Sequence, residues 1–286
     1  MQNAAKNMLG LALLAYAVGC LVLIIYLAHS PIIGIGDEPV VTEDHSMPVL
    51  TSSTQLPDFS SIEQTPERKQ AFIEILLPLI EKKNSAVLRT RNSIVKLQKQ
   101  FHEGKELTEK QYDFLERLRE RYRVSHEMYP DTAKAFEILL LRADMIPTSM
   151  VLAQAAIESG WGTSRFAAEA HNLFGQWCYT PGCGLVPERR PAGARHEVQK
   201  FADVEQSLDA YFRNINTHNA YRQLRQLRAS LRDQDGALTG DALVAGLARY
   251  SSRGAVYIDE LRTVIRVNDL ENIQLDEQAI ETASQP

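Results

Sequence analysis

Apolar residues recur at helical spacing along most of this chain, and one stretch, residues 178–203, breaks the rhythm. That contrast restricts the chain to a mostly helical α+β fold with one small β element. After Thr65, Pro66 suits a first helical position, and apolar side chains return at Phe72, Leu76, Ile80, Val87, Ile94, Leu97 and Phe101. These steps predict one long amphipathic helix, with Pro78 as a place for a bend. "HEGKEL" ends it, and "TEKQ" from Thr108 to Gln111 reads as a capping box that opens a second helix running to about Tyr122. The two make an expected helical hairpin over 66–128. Its plain role is to pack on the main domain; its sharper one is a coiled-coil partner surface.

The main domain is expected over 129–270. Helices are predicted at "DTAKAFEILLLRADM", from Pro147 to Glu158, at "TSRFAAEA", and then at "VEQSLDAYFRNINTH", "AYRQLRQLRASLR", "GDALVAGLARY" and "AVYIDELRTVIRV". In between, Pro181-Gly182 and Pro191-Ala192-Gly193 flank short stretches able to pair, which reads as a small β-hairpin lobe. Residues 271–286 form a tail.

Hydrophobic residues make up 44% of the 286, enough for an ordinary soluble core. A net charge of −5 gives no sign of a nucleic-acid partner, and the absence of a CxxC pair, HExxH or a glycine-rich phosphate loop argues against a metal site or a nucleotide cofactor. The N-terminus departs from that average. Met8 to Ala28 carries no charge over roughly 21 residues, which at about 1.5 Å per residue matches a hydrocarbon core of roughly 30 Å. Residues 1–29 therefore read as a transmembrane anchor. A cleaved signal peptide calls for a shorter apolar region and a small-residue cleavage site, and Ala17 fits poorly with a lipoprotein site at Cys20. Lys6 before the span and Asp37, Glu38, Glu43 and Asp44 after it favour a cytoplasmic N-terminus and an external body. The Pro-, Ser- and Thr-rich stretch 30–65 reads as a tether.

One residue is out of place in this pattern. Glu158 ends the apolar stretch "AQAAIES", immediately before Gly160-Trp161-Gly162. A carboxylate buried without a partner is costly unless it takes up a proton. Glu158 thus either has a partner supplied from elsewhere in the chain or is a carboxylic acid kept for chemistry.

Four ordered segments, "AQAAIESGWGTSRFA", "HNLFGQW", "KFADVEQSLDAYFRNI" and "LARYSSRGAVYIDELRTVI", resemble the glucosaminidase domain of glycoside hydrolase family 73, which contains bacterial autolysins and the flagellar peptidoglycan hydrolase. With the Cys178–Cys183 segment and the N-terminal span, the chain looks most similar to the Bax-type proteins of Gram-negative bacteria. The resemblance covers roughly 135–270. It implies a lysozyme-like fold, no cofactor or metal, and endo-β-N-acetylglucosaminidase cleavage of the β-1,4 bond in peptidoglycan by a body in the periplasm, anchored in the inner membrane. Rival readings are a lytic transglycosylase on the same fold and a non-catalytic wall-binding scaffold.

The resemblance assigns the general acid to Glu158, and an apolar helix end raises a carboxyl's pKa in the direction that role needs. It places a second carboxylate on the β lobe, which falls on Glu188, with Glu197 as its rival. If the hairpin turns at 192/193 these two face one another, an unfavourable pairing unless a proton or an arginine intervenes. The third alternative is substrate assistance, in which the N-acetyl group is the nucleophile. Tyr250 matches the family's tyrosine near the acid, placing its phenol to bond Glu158 or the sugar. Tyr257 reads as core or as a sugar contact. Asn172 and Phe174 of "NLFG" shape the cleft wall, with Asn172 either a sugar contact or a turn residue. Trp161 and Trp177 either stack on sugars or pack the core. "QWCYTPGCG" replaces the Ile-Lys-type continuation commoner in the family. Outside the cytoplasm, Cys178 and Cys183 around a short turn read as a disulfide, against a free buried pair. Arg222, Arg225, Arg228 and Arg232 form a helical stripe, read as a solvated face or as a contact for anionic polymer or headgroups.

Overall fold

The computed structural model describes residues 56–191 and 193–273. The expected anchor at 1–29, the tether up to residue 55 and the tail beyond 273 lie outside them. No helix among the described residues is long and apolar enough to cross a membrane.

Helix α1 (Thr65–His102) runs without interruption, with Pro66 in its first turn and Pro78 inside it on an exposed face. Its first half puts Phe72, Leu76, Ile80 and Val87 into the main core, and its second half puts Ile94 and Leu97 into a second apolar cluster. Helix α2 (Glu109–Arg121) opens on the expected capping box between Thr108 and Gln111. With α3 (Thr132–Arg142) it completes the second cluster through Leu115, Leu118, Phe136 and Leu139. The hairpin therefore packs on the main domain, its plain role. Asn84 of α1 donates to the Ile146 carbonyl at 2.8 Å and accepts from the Ile146 amide at 3.0 Å, fixing the turn that starts α4 (Thr148–Ser159).

Helix α4 is buried on almost every face, packed between α1, α8 (Gly240–Leu243) and α9 (Ala255–Val267). It ends in three consecutive left-handed residues, Gly160, Trp161 and Gly162, which turn the chain toward α5 (Arg165–Ala170). The predicted helix at "GDALVAGLARY" is shorter than expected: α8 gives way to a 3-10 turn at Val244–Leu247. Gly246 lies against the backbone of Leu224, where even a Cβ would clash.

The β lobe is a three-stranded antiparallel sheet in place of the expected hairpin. Its strands β1 (Trp177–Cys178), β2 (Gly184–Leu185) and β3 (Glu197–Gln199) have β3 in the middle. The register opposes Cys178 to Glu197 and Leu185 to Val198, so Glu188 does not face Glu197. Cys178 and Cys183 form the disulfide.

The arginine stripe is corrected by helices α6 (Val204–Thr217) and α7 (Arg222–Asp233). Arg222 is exposed, but Arg225 and Arg228 are buried. Arg228 donates to the carbonyls of Met145 at 2.7 Å and Asp144 at 3.2 Å and to Asn216 Oδ1 at 2.9 Å. Arg232 grips the buried Asp144 carboxylate with two 2.6 Å bonds. Burial pushes Arg228 down to about 10, still charged at neutral pH. The helical period placed these arginines on one face correctly; the loop carbonyls that α3 and α4 leave exposed at 141–145 turned that face inward.

Removing Arg228 strands those carbonyls and takes one of the nearby cations from the buried Asp144 carboxylate, which Arg232 still holds. Arg228→Met should lose about 3–5 kcal/mol in urea unfolding, while Arg222→Ala should stay within about 0.5 kcal/mol. The Cys178–Cys183 loop is short, so a double Cys→Ser variant should fold and lose less than about 3 kcal/mol in the same measurement.

Candidate active site

Glu158 lies in the last turn of α4, one helical turn beyond Gln154, so both project from the same face. Across from them stands α9, whose Tyr257 hydroxyl donates to Glu158 Oε1 at 2.9 Å and accepts from Gln154 Nε2 at 3.1 Å. Tyr211 of α6 donates to Gln154 Oε1 at 2.6 Å. The result is a directed hydrogen-bond chain from Tyr211 through Gln154 and Tyr257 to the carboxyl, with its first three members fully buried. Each side-chain group fixes the orientation of the next.

Glu158 itself is half-buried, and that burial raises its pKa above the ordinary carboxyl value. The Tyr257 hydrogen bond and the positive charge of Arg253 oppose the shift, and Glu260 adds to it. Arg253 and Glu260 pair with each other at 2.6 Å, and Arg253 also lies over the Tyr257 ring at 5.3 Å. The Oε2 atom has no hydrogen-bond partner among the described residues. It looks toward Gly175, which is exposed and left-handed. A Cβ there would stand 3.7 Å from Oε2, so any longer side chain would crowd the open face of the carboxyl.

From the sequence, Tyr250 is expected to bond Glu158 or the sugar and Tyr257 to pack the core or touch the sugar; the contact with the acid is made by buried Tyr257. Tyr250 does not bond Glu158: its hydroxyl donates to the Phe174 carbonyl at 3.0 Å, and its ring stacks on Tyr257, centroids 5.5 Å apart and nearly parallel. Tyr250 positions Tyr257, and Tyr257 touches the acid. Burial comes first, and the neighbouring Glu158 charge second, in raising the Tyr257 pKa, which keeps the phenol protonated as a donor.

Asn172 is 1% exposed and fully engaged in the turn it closes. Its amide donates to the carbonyls of Gln176 and Gln199, and its oxygen accepts from the amides of Phe174 and Gln176. Of its two expected roles the structure shows the turn. Phe174 is buried and stacked on Tyr211 at 4.0 Å. Trp161 is half-buried, edge-on to Phe72 at 5.7 Å with the Lys69 ammonium 4.9 Å from its ring. Trp177 is 56% exposed and stacks on His196 at 4.2 Å.

Neither candidate second carboxylate contacts Glu158 among the described residues. Glu197 is committed elsewhere: it accepts from the amides of Gly182 at 3.0 Å and Gly184 at 2.9 Å, bonds that hold it below the usual carboxylate range and clamp the disulfide loop. Glu188 is exposed in the loop between β2 and β3 and makes no hydrogen bond or ion pair among the described residues. It is not among the charges that bias Glu158. Cys178, Cys183 and Glu197 approach one another, but with both sulfurs in the disulfide they offer a metal no thiolate.

Sequence reading missed Gln154, Tyr211, Arg253 and Glu260. Gln154 had a usable signal, being a polar residue one turn before Glu158 in an otherwise apolar helix. Tyr211 had none, because its partner lies 57 positions away.

Comparison with known proteins agrees with this geometry. Residues 133–270 match the family model described as glucosaminidase, mannosyl-glycoprotein endo-beta-N-acetylglucosaminidase. The chain is 34% identical over 216 residues to Protein bax of Escherichia coli (strain K12), covering 76% of this chain and 75% of that protein. No solved structure matches.

The different contacts of the two tyrosines are testable by following the Glu158 carboxyl by NMR. Tyr257→Phe deletes a donor that favours the ionised form, so the titration midpoint should rise; Tyr250→Phe should move it much less. Tyr257→Phe should also cost about 1–3 kcal/mol of stability, since Gln154 Nε2 loses its acceptor.

Proposed function

The chain belongs to the glucosaminidase family, and on that premise we propose that it is an endo-β-N-acetylglucosaminidase that hydrolyses the β-1,4 bond of peptidoglycan glycan strands, with Glu158 as proton donor. The observation that carries the reading is the setting of Glu158: burial raises its pKa, one oxygen is held by Tyr257, and the other is open beside exposed Gly175. A glycosidic oxygen is a poor leaving group and needs a proton in the transition state. A carboxyl whose burial favours the protonated form, open on one side, supplies it.

Oε2 is the oxygen that delivers the proton, because Oε1 already accepts from Tyr257. As the proton leaves, negative charge develops on Glu158. The Tyr257 hydroxyl and the nearby Arg253 both stabilise that charge. Trp177 provides an apolar platform for a pyranose ring two residues from Gly175. Either Glu188 activates the attacking water or the substrate's own N-acetyl group attacks the anomeric carbon. The unpartnered, exposed position of Glu188 leaves it free to approach a bound glycan. The lysozyme-like architecture, the N-terminal membrane anchor and the periplasmic site of action belong to the same reading.

Incubating the full chain with peptidoglycan and resolving the products by mass spectrometry tests the proposal. Hydrolysis leaves reducing N-acetylglucosamine ends; anhydro ends would make the protein a lytic transglycosylase, and binding without turnover a scaffold. Glu158→Gln should lower turnover by at least about 10²-fold. Its stability should show the linkage sign of a raised carboxyl. In the wild type, the contribution from protonated Glu158 is full below about pH 4 and is lost as pH rises through the raised folded value. The variant should therefore gain on the wild type at neutral pH. Glu188→Gln should be the milder lesion if the N-acetyl group attacks, and nearly as severe if Glu188 activates water.

A further inference from the structure

A sizeable concavity among the described residues lies away from Glu158. It is a cavity of about 440 Å³ between α1, the end of α2, β3 and α6. Its lining shares no residue with the hydrogen-bond chain that runs from Tyr211 to Glu158. One wall, with Lys83 and Arg121, comes from the hairpin outside the matched family region; the other, with Gln199, Gln206, Asp209 and Arg213, lies inside it.

Three cations line this space against one carboxylate. Lys83 is buried and forms a close ion pair with Asp209. Arg121 and Arg213 form no ion pair among the described residues, although Arg121 also lies 6.0 Å from the Tyr122 ring. Both arginines are close enough to Lys83 for their charges to disfavour its protonated form. Asp209 is paired to Lys83, so the half-buried Arg121 and the exposed Arg213 bring two further positive charges to the cavity with no carboxylate paired to them among the described residues. Two guanidinium groups favour a planar, bidentate acceptor, and the glutamine amides at 199 and 206 add neutral hydrogen-bonding capacity. The volume lies within the usual range for a small-ligand site, roughly 300–1,000 Å³.

We infer that this cavity binds the free carboxylates of a short peptide, held by Arg121 and Arg213 at the seam between the hairpin and the catalytic domain. The choice of a wall peptide as the source rests on the peptidoglycan reading above, since that polymer carries carboxylate-bearing peptides on its glycan. Bound there, the peptide gives the hairpin a part in substrate selection: uncrosslinked strands, whose peptides keep their carboxylates, are held better than crosslinked or amidated ones.

Calorimetric titration of the full chain carrying Glu158→Gln tests the site directly. The probes are a synthetic stem tetrapeptide with free carboxylates, the same peptide fully amidated, glutarate, and an acidic hexapeptide of L-residues. The free stem peptide should bind, and amidation should weaken it at least tenfold. Arg121→Ala/Arg213→Ala should weaken it by a similar factor without changing the thermal unfolding midpoint. Equal binding of the amidated peptide, an unaffected double variant, or no binding of the free peptide overturns the inference. Glutarate binding as tightly as the stem peptide would reduce the cavity to a small-anion site, and tighter binding of the hexapeptide would assign it to a protein partner; both outcomes reject the wall-peptide assignment. Cleavage of peptide-free glycan by the wild type, read separately, reports on the glycosidase proposal alone.

Discussion

Everything around the site depends on placing a carboxyl at the end of a helix that is buried on nearly all sides. Met150 through Ala156 of α4 are enclosed by α1, α8 and α9, so the helix has no solvated face on which to put Gln154 and Glu158. Leaving either unpartnered would cost several kcal/mol. The tyrosines of α6 and α9 give both polar atoms of the Gln154 side chain a partner, and one of the two oxygens of Glu158. The other is the open oxygen beside Gly175, and it is where chemistry is possible.

The same rule shapes the rest of the molecule. Its buried polar side chains repeatedly tie down connections between elements instead of pairing with one another. Asn84 holds the turn into α4, Asn172 closes the loop that leads to β1, Glu197 clamps the disulfide loop, and Arg228 collects the carbonyls between α3 and α4. Backbone groups in irregular segments have no ladder to satisfy them, so side chains do it.

The hairpin outside the family match is part of this construction. Helix α1 supplies Phe72, Leu76 and Ile80 to the core that backs α4, and Lys69 and Phe72 brace Trp161 just beyond Glu158. It also forms one wall of the cationic cavity, so helices outside the matched domain contribute both to the packing behind the site and to that cavity.

Much of this was legible in the sequence. Helical period located the long helix and the buried one, the Thr108–Gln111 capping box marked the start of α2, the loss of period between 178 and 203 marked the sheet, and Cys178 and Cys183 paired across their short turn. Glu158 stood out because a charge in an apolar run is a local anomaly, visible without any partner. What the tertiary structure alone decided were the partners: Tyr257 for the acid, the middle strand for both others in place of a hairpin, backbone carbonyls instead of solvent for Arg225 and Arg228, and the amides of Gly182 and Gly184 for Glu197. Spacing along one helix sets which side chains share a face, but whether that face meets water or protein, and which distant hydroxyl reaches it, depends on how separate elements pack in three dimensions.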